Sequence, residues 1–334
     1  MEPLEDPHGK GGLHVMKRII VTGASGQIGI ELVPYLRKIY GDSNVLATAR
    51  RHVPGPVSEG GPFELLDVRD GKTFSKLVSS FKADTILHLA GILSAKAETM
   101  PQESWDINLG GTFTALEVAR EHGAALFFPS SIAAFGPSTP QDNTPQVTIQ
   151  RPTTIYGVAK VTCELLCDYY HKKYGVDTRG LRFPGLISYE ALPGGGTTDY
   201  AVHIYYEALS KGRYTCYIAP GTYMDMMYMP DALAAVVQLM EADPSKLVNR
   251  NAYNVSAMSF APEDIAASIK KFIPEFEISY DVDPVRQAIA ESWPNSLDCT
   301  AAKEEWGFDP EYDLDRMTQD MLERLKQKRQ ATEG

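Results

Sequence analysis

The chain has 334 residues, 43% hydrophobic and 22% charged, which is material for one large domain or two ordinary ones. A formal net charge of −11 offers no basic face to a nucleic-acid partner, and no apolar run approaches the roughly 18 residues that a membrane span requires. Four scattered cysteines, Cys163, Cys167, Cys216 and Cys299, are too few for a disulfide framework, and Cys163 and Cys167 lack the second ligand pair of a zinc site, so a reducing compartment and no metal are expected.

Residues 1–15, polar and Gly-rich, read as a disordered leader or an expression remnant, neither secretory signal nor transit peptide. From Lys17 onward, short apolar runs alternate with helical stretches. The pattern predicts strands over 18–22 (RIIVT), 44–49 (NVLATA), 63–67 (FELLD), 85–90 (TILHLA), 125–130 (ALFFPS) and 178–183 (TRGLRF). Helices are predicted over 29–40, roughly 104–122, and 157–174. Strands that are apolar without alternation are covered on both faces, and regular β-α succession means an α/β doubly wound parallel sheet. This domain spans 16–184. After Pro184 the rhythm fades, so 185–312 reads as a smaller substrate-binding lobe, with about 225–256 returning to pack on the first domain. Leu314, Met317, Met321, Leu322 and Leu325 recur at helical spacing, giving a C-terminal amphipathic helix within 313–334.

Between the first strand and first helix stands Gly23-Ala24-Ser25-Gly26-Gln27-Ile28-Gly29. Glycines at this spacing let backbone N–H groups and a helix N-terminus approach a pyrophosphate, so the segment predicts a dinucleotide site of Rossmann type. An acid at the end of the second strand would hold the ribose of NAD; Ala49 is there instead, followed by Arg50 and Arg51, which suit a 2′-phosphate or simply a solvated turn. The cofactor is therefore NAD or NADP.

Tyr156 and Lys160 stand four apart on one helix face. A free phenol is a poor base at neutral pH, and a cation beside it favours the phenolate, which makes the pair an acid/base candidate. Ser130 and Ser131 end the fifth strand, where α/β ligands bind, and their hydroxyls suit a substrate oxygen. Other readings stand beside these. His88 is a structural histidine at a strand end. Asn108 is a helix N-cap or a water-relay residue. Thr197 and Thr198 end a glycine loop, Asp199 caps the helix that follows, and Trp293 belongs to the core.

The glycine turn, His88-Leu89-Ala90-Gly91, Asn108-Leu109-Gly110-Gly111-Thr112, the Ser-Ser…Tyr-x-x-x-Lys set and Arg182-Phe183-Pro184-Gly185 together resemble the extended short-chain dehydrogenases over nearly the whole chain. The strings 129–137 (PSSIAAFGP), 193–202 (PGGGTTDYAV) and 291–298 (ESWPNSLD) are similar to the zinc-independent L-threonine 3-dehydrogenases within that superfamily. The resemblance implies NAD as cofactor, with Asp67 and Val68 beside the adenine and Lys160 on the nicotinamide ribose. It places Pro184, Gly185, Leu186 and Ile187 by the carboxamide and substrate, and Ser94, Thr197, Thr198, Asp199 and Trp293 around the substrate. It further implies oxidation of the β-hydroxyl of L-threonine with Tyr156 as acid/base, a homodimer, and by pathway analogy a mitochondrial location, with a cytoplasmic one left open. The glycines at 194–196 suggest a flexible hinge for a closing loop. The alternatives are a nucleotide-sugar epimerase or dehydratase and a non-catalytic NAD(P)-binding regulatory protein.

Overall fold

A computed structural model describes residues 15–191 and 196–333. Most of the leader expected over 1–15, and the hinge glycines 194 and 195, lie outside the described residues. The first half runs β1 (Ile19–Thr22), α1 (Gly29–Tyr40), β2 (Val45–Ala49), α2 (Pro56–Glu59), β3 (Phe63–Leu65), α3 (Gly71–Phe81), β4 (Thr85–His88), α4 (Ser94–Thr99), α5 (Pro101–Trp105), α6 (Gly111–His122), β5 (Ala125–Ser131) and α7 (Ile155–Tyr174). The second half continues with β6 (Thr178–Phe183), β7 (Gly185–Ile187), α8 (Tyr200–Lys211), β8 (Arg213–Cys216), β9 (Met224–Tyr228), α9 (Met229–Glu241), β10 (Tyr253–Asn254) and β11 (Met258–Phe260). The remaining elements are α10 (Pro262–Lys270), β12 (Glu277–Tyr280), α11 (Pro284–Glu291), α12 (Thr300–Trp306) and α13 (Leu314–Glu333).

Seven strands form one sheet in the order β10-β6-β5-β4-β1-β2-β3, and every pairing in it is parallel. The alternation of side chains explains why the strands read as unbroken apolar runs. Ile19 and Val21 of β1 join Val45, Ala47 and Phe127 in a core under α1 and α9, whereas Ile20 joins Leu46, Ile86, Leu126 and Phe128 under α3, α6 and α7. Both faces are buried. The chain order reverses between β1 and β4, and the crevice outside the carboxyl ends of these strands is where such sheets take ligands.

Two differences from the sequence reading matter for the site. The helical run before β5 begins at Pro101 and passes through a π-turn, Asp106–Gly110, before α6. Helix α3 fills the stretch between β3 and β4; Asp70 caps it by accepting from Thr73 N at 3.1 Å, and Phe74 and Val78 are its buried residues. A separate core gathers α8, β8, β9, α10 and α13, including Met317, Met321, Leu322 and Leu325, the apolar stripe of the C-terminal helix. β9 also pairs with β7 and β11 in a three-stranded sheet, which ties this core to the strand that follows β6.

Candidate active site

The glycine turn is set by close packing. Gly23 has φ +65°, and a β-carbon there would stand 2.6 Å from Ala90 Cα; one at Gly29 would stand 2.6 Å from the Ala24 backbone. Gly26 N donates to Gly23 O at 2.9 Å, and Ile30 N to Gly26 O at 3.0 Å, so α1 starts directly out of the turn. A helix N-terminus that emerges from such a glycine turn is the arrangement that receives a phosphate. Gln27 and Ile28 face one cleft, whose opposite walls are Leu89, Ala90 and Gly91 after β4 and Pro184, Gly185 and Leu186 after β6. Ile187 is fully buried and does not line it; Ser25 borders a separate hollow beside α1.

The expected adenosine side lies away from this cleft. Ala49 is buried at the end of β2, and Arg50 is half-exposed, 4.0 Å from Glu103. Asp67 is bound by Arg69 at 2.9 and 2.6 Å, and those hydrogen bonds pull its carboxyl down to about 2. Val68 packs on Gly111, where a β-carbon would meet its Cγ2 at 2.7 Å.

Thr154 opens α7 by accepting from Gly157 N at 3.0 Å, and the helix carries Tyr156 and Lys160 into the cleft one turn apart. Lys160 Nζ donates to Pro129 O, stands 4.7 Å from the Phe128 ring centroid, and 5.3 Å from that of Tyr156. The two serines part company. Ser130 is buried and donates its hydroxyl to Glu164, itself held by Arg182 at 2.9 and 3.0 Å and by Gln150 at 2.9 Å. Ser130 lines the cleft alongside Ser131, but its proton is directed to Glu164. Ser131 accepts from Ala133 N at 3.2 Å, which leaves its hydroxyl proton available to the cleft it lines.

At Asn108, which lines the cleft, the helix-cap reading alone is corrected. This residue sits in the π-turn, not at a helix start, and clamps the chain after Gly91: its Oδ1 accepts from Ile92 N at 2.7 Å and its Nδ2 donates to Ile92 O at 3.1 Å. Asp199 does not cap α8. Its Oδ2 accepts from Gly196 N at 2.7 Å and closes the 3₁₀ turn Thr197–Asp199 from which α8 continues. Thr197, Thr198, Asp199, Ser94 and Trp293 all border the cleft with the residues above, and Trp293 is also part of the core.

Sequence reasoning passed over the inner end of the cleft, lined by His88, Thr112, Phe128 and Cys163. His88 is fully buried, its Nδ1 is 2.9 Å from Thr22 Oγ1, and burial together with the Lys160 charge pushes it down to about 3, so it is neutral. Its Nε2 and Thr197 Oγ1 are buried at the cleft without a hydrogen-bond partner among the described residues. Such atoms carry a desolvation cost that a ligand can relieve. The resulting enclosure joins a phosphate-receiving turn, a phenol next to an ammonium, a free hydroxyl and an orphaned threonine oxygen. That is equipment for moving a proton at the hydroxyl of a small polar molecule.

The NAD dependent epimerase/dehydratase family matches residues 19–256. An uncharacterized epimerase/dehydratase of Staphylococcus saprophyticus is 59% identical over 317 residues, covering 95% of this chain and 99% of the relative. Among solved structures, L-threonine dehydrogenase from Clostridium difficile is similar with a TM-score of 0.93 at 60% identity, covering 94% of this chain and 98% of that one. L-threonine dehydrogenase from Phytophthora infestans gives 0.90 at 47% identity, covering 93% and 100%. With the 59%-identical relative in a bacterium, the mitochondrial expectation finds no support. No helix among the described residues is long and apolar enough to cross a membrane.

Proposed function

We propose, for a chain that belongs to the NAD dependent epimerase/dehydratase family and is an extended short-chain dehydrogenase, that its cleft oxidises the β-hydroxyl of L-threonine to give 2-amino-3-oxobutanoate. The observation that carries this reading is that Tyr156, Lys160 and Ser131 share one cleft with the Thr197–Asp199 turn and Trp293. The strong likeness to two L-threonine dehydrogenases supports the same substrate.

Bound NAD supplies the hydride acceptor. The glycine turn would hold its pyrophosphate at the start of α1, and Lys160 would hold its nicotinamide ribose. Ser131 donates to the substrate's β-oxygen and fixes it beside Tyr156, which takes the hydroxyl proton; Lys160, anchored on Pro129 O, keeps a positive charge next to the phenol. Thr197 and Thr198 offer hydroxyls to the substrate carboxylate, and Asp199 an acceptor to the ammonium. Trp293 excludes water from that side. NAD is preferred to NADP, with the weaker discrimination expected where Ala49 stands in place of an acid. The exposed apolar face of α6 and α7, bearing Phe113, Leu165, Tyr169 and Tyr174, is covered by a second copy of the chain in a homodimer.

The test is reduction of NAD and of NADP with L-threonine and with nucleotide sugars as rival substrates. The expected result is threonine-dependent reduction, with higher kcat/KM for NAD. Tyr156→Phe lowers kcat about 10²–10⁴-fold while NADH affinity stays. Turnover of nucleotide sugars instead of threonine, or a Tyr156→Phe rate within a few-fold of wild type, overturns the reading.

A further inference from the structure

The first turn of α1 carries a carboxylate that the chemistry above does not use. Glu31 accepts the hydroxyl of Ser188, the residue directly after β7. Ser188 Oγ itself accepts from Glu190 N at 3.0 Å and from Ala191 N at 3.1 Å, so its single proton is directed to Glu31. One turn earlier Gln27 Nε2 reaches the Leu186 carbonyl at 3.4 Å. The segment that receives the pyrophosphate is thus tied twice to β7. From β7 the connection runs on to the other limb of the cleft, because Gly185 packs so closely on Thr198 that a β-carbon would stand 2.8 Å from its Cγ2. Lys328 of α13 holds the residues after Ser188 from outside, donating to Tyr189 O at 3.1 Å, Glu190 O at 3.2 Å and Glu190 Oε2 at 2.8 Å.

We propose that Glu31 is a positioning residue which, through Ser188 and β7, couples occupancy of the cofactor limb of the cleft to affinity in its substrate limb. The proposal rests on the reading that this cleft oxidises threonine with NAD. A connection of this kind transmits because its parts are packed elements with few alternative arrangements, and its strength is a binding ratio, identical whichever ligand is added first.

The site also has a pH dependence. Burial raises the Glu31 carboxyl to about 7, the Ser188 bond lowers it, neighbouring Glu190 raises it and Lys328 lowers it. Tyr189 borders the same hollow. Because the assembled arrangement favours the neutral acid more than water does, raising the pH through about 7 disfavours the connection.

The experiment measures threonine kcat and KM from pH 6 to 9, and the NADH dissociation constant with and without saturating threonine, for wild type, Glu31→Ala, Ser188→Ala and Glu31→Gln. Removing one hydrogen bond from the connection raises the threonine KM about three- to tenfold with kcat within twofold. In Glu31→Ala and Ser188→Ala the ratio of the two NADH constants moves towards 1, the Gln27 tie to β7 remaining. Glu31→Gln, which retains an acceptor for Ser188, keeps the wild-type ratio near pH 6 and loses the rise in KM above pH 7. If wild type oxidises threonine and the ratio is unchanged in both truncated variants, this inference fails alone. An equal loss of kcat, threonine affinity and NADH affinity also overturns it, since that pattern is a general structural defect. No turnover of threonine by wild type overturns the substrate reading and this inference with it.

Discussion

Removal of the Glu164 carboxylate tests how the catalytic helix is held. Glu164 follows Lys160 by one turn of α7 and Tyr156 by two, so all three lie on one face. The Glu164 and Arg182 side chains are 6% and 9% exposed, and the carboxylate accepts from Arg182 Nε and Nη2, Ser130 and Gln150. After Glu164→Ala the guanidinium retains Gln146 O at 2.9 Å, Asn254 Oδ1 at 3.1 Å and the Phe135 ring at 5.0 Å, but no counter-charge. Summing four charged hydrogen bonds at about 1.5–3 kcal/mol each would exceed the true loss, because Ser130 and Gln150 can turn to other partners. The better guide is the cost of breaking one buried ion pair, about 3–5 kcal/mol. Equilibrium urea unfolding should show that loss with the slope unchanged, and Glu164→Gln, which preserves volume and an acceptor for Ser130, should lose less. A loss below about 1 kcal/mol for Glu164→Ala would refute the argument that this pair fixes α7 against β5 and β6.

The two serines should behave differently: Ser131→Ala lowers kcat/KM about 10²–10³-fold, the usual size for one lost donor to a reacting oxygen, whereas Ser130→Ala costs about 1 kcal/mol of stability with kcat within a few-fold. Equal kinetic losses would contradict the assignment. Thr197→Val should raise the threonine KM about 5- to 150-fold, from about 1–3 kcal/mol for an unpaired buried group, with NADH affinity unmoved; an equal effect on both ligands would place Thr197 in the cofactor site. Asp225 on β9 accepts from Ser256 and is raised by burial to about 7. The fold favours its neutral form, so its contribution is whole below about pH 4 and is lost as pH rises through 7, at up to about 1.4 kcal/mol per unit. Asp225→Asn should flatten the fall in urea midpoint between pH 5 and 7, and parallel profiles for the two proteins would count against the shift.

What the sequence made legible was whatever depends on neighbours along the chain. The apolar runs 18–22 and 125–130 lie in strands buried on both faces, and the glycine turn is where backbone approaches of 2.6 Å leave no room for a β-carbon. Tyr156 and Lys160 share a face because helices repeat every 3.6 residues. The signal for α3 was present as well, in Asp70 as N-cap and Phe74, Leu77, Val78 and Phe81 at helical spacing, but it was not read. Asn108 was beyond reach from its own neighbourhood. Its clamp on Ile92 joins residues 16 apart across a π-turn, and no local pattern distinguishes that amide from a helix cap.

The serine pair marks the boundary between these cases. The sequence reading ended the fifth strand at Ser130 and gave both hydroxyls to the substrate; β5 extends through Ser131. Successive residues of a strand point to opposite sides, so the two hydroxyls, though both border the cleft, meet different partners. Extending the strand by one residue would have predicted the split. Which serine keeps its proton for the cleft was a different question, because it depends on what meets the other. Ser130 lies level with Arg182 of the neighbouring strand and beneath Glu164 of α7, partners 52 and 34 residues further along the chain. The period of a strand is written in consecutive residues, whereas its phase is set by packing between elements. The assignment of Ser131 to the substrate therefore rests on a buried ion pair that does not line the cleft.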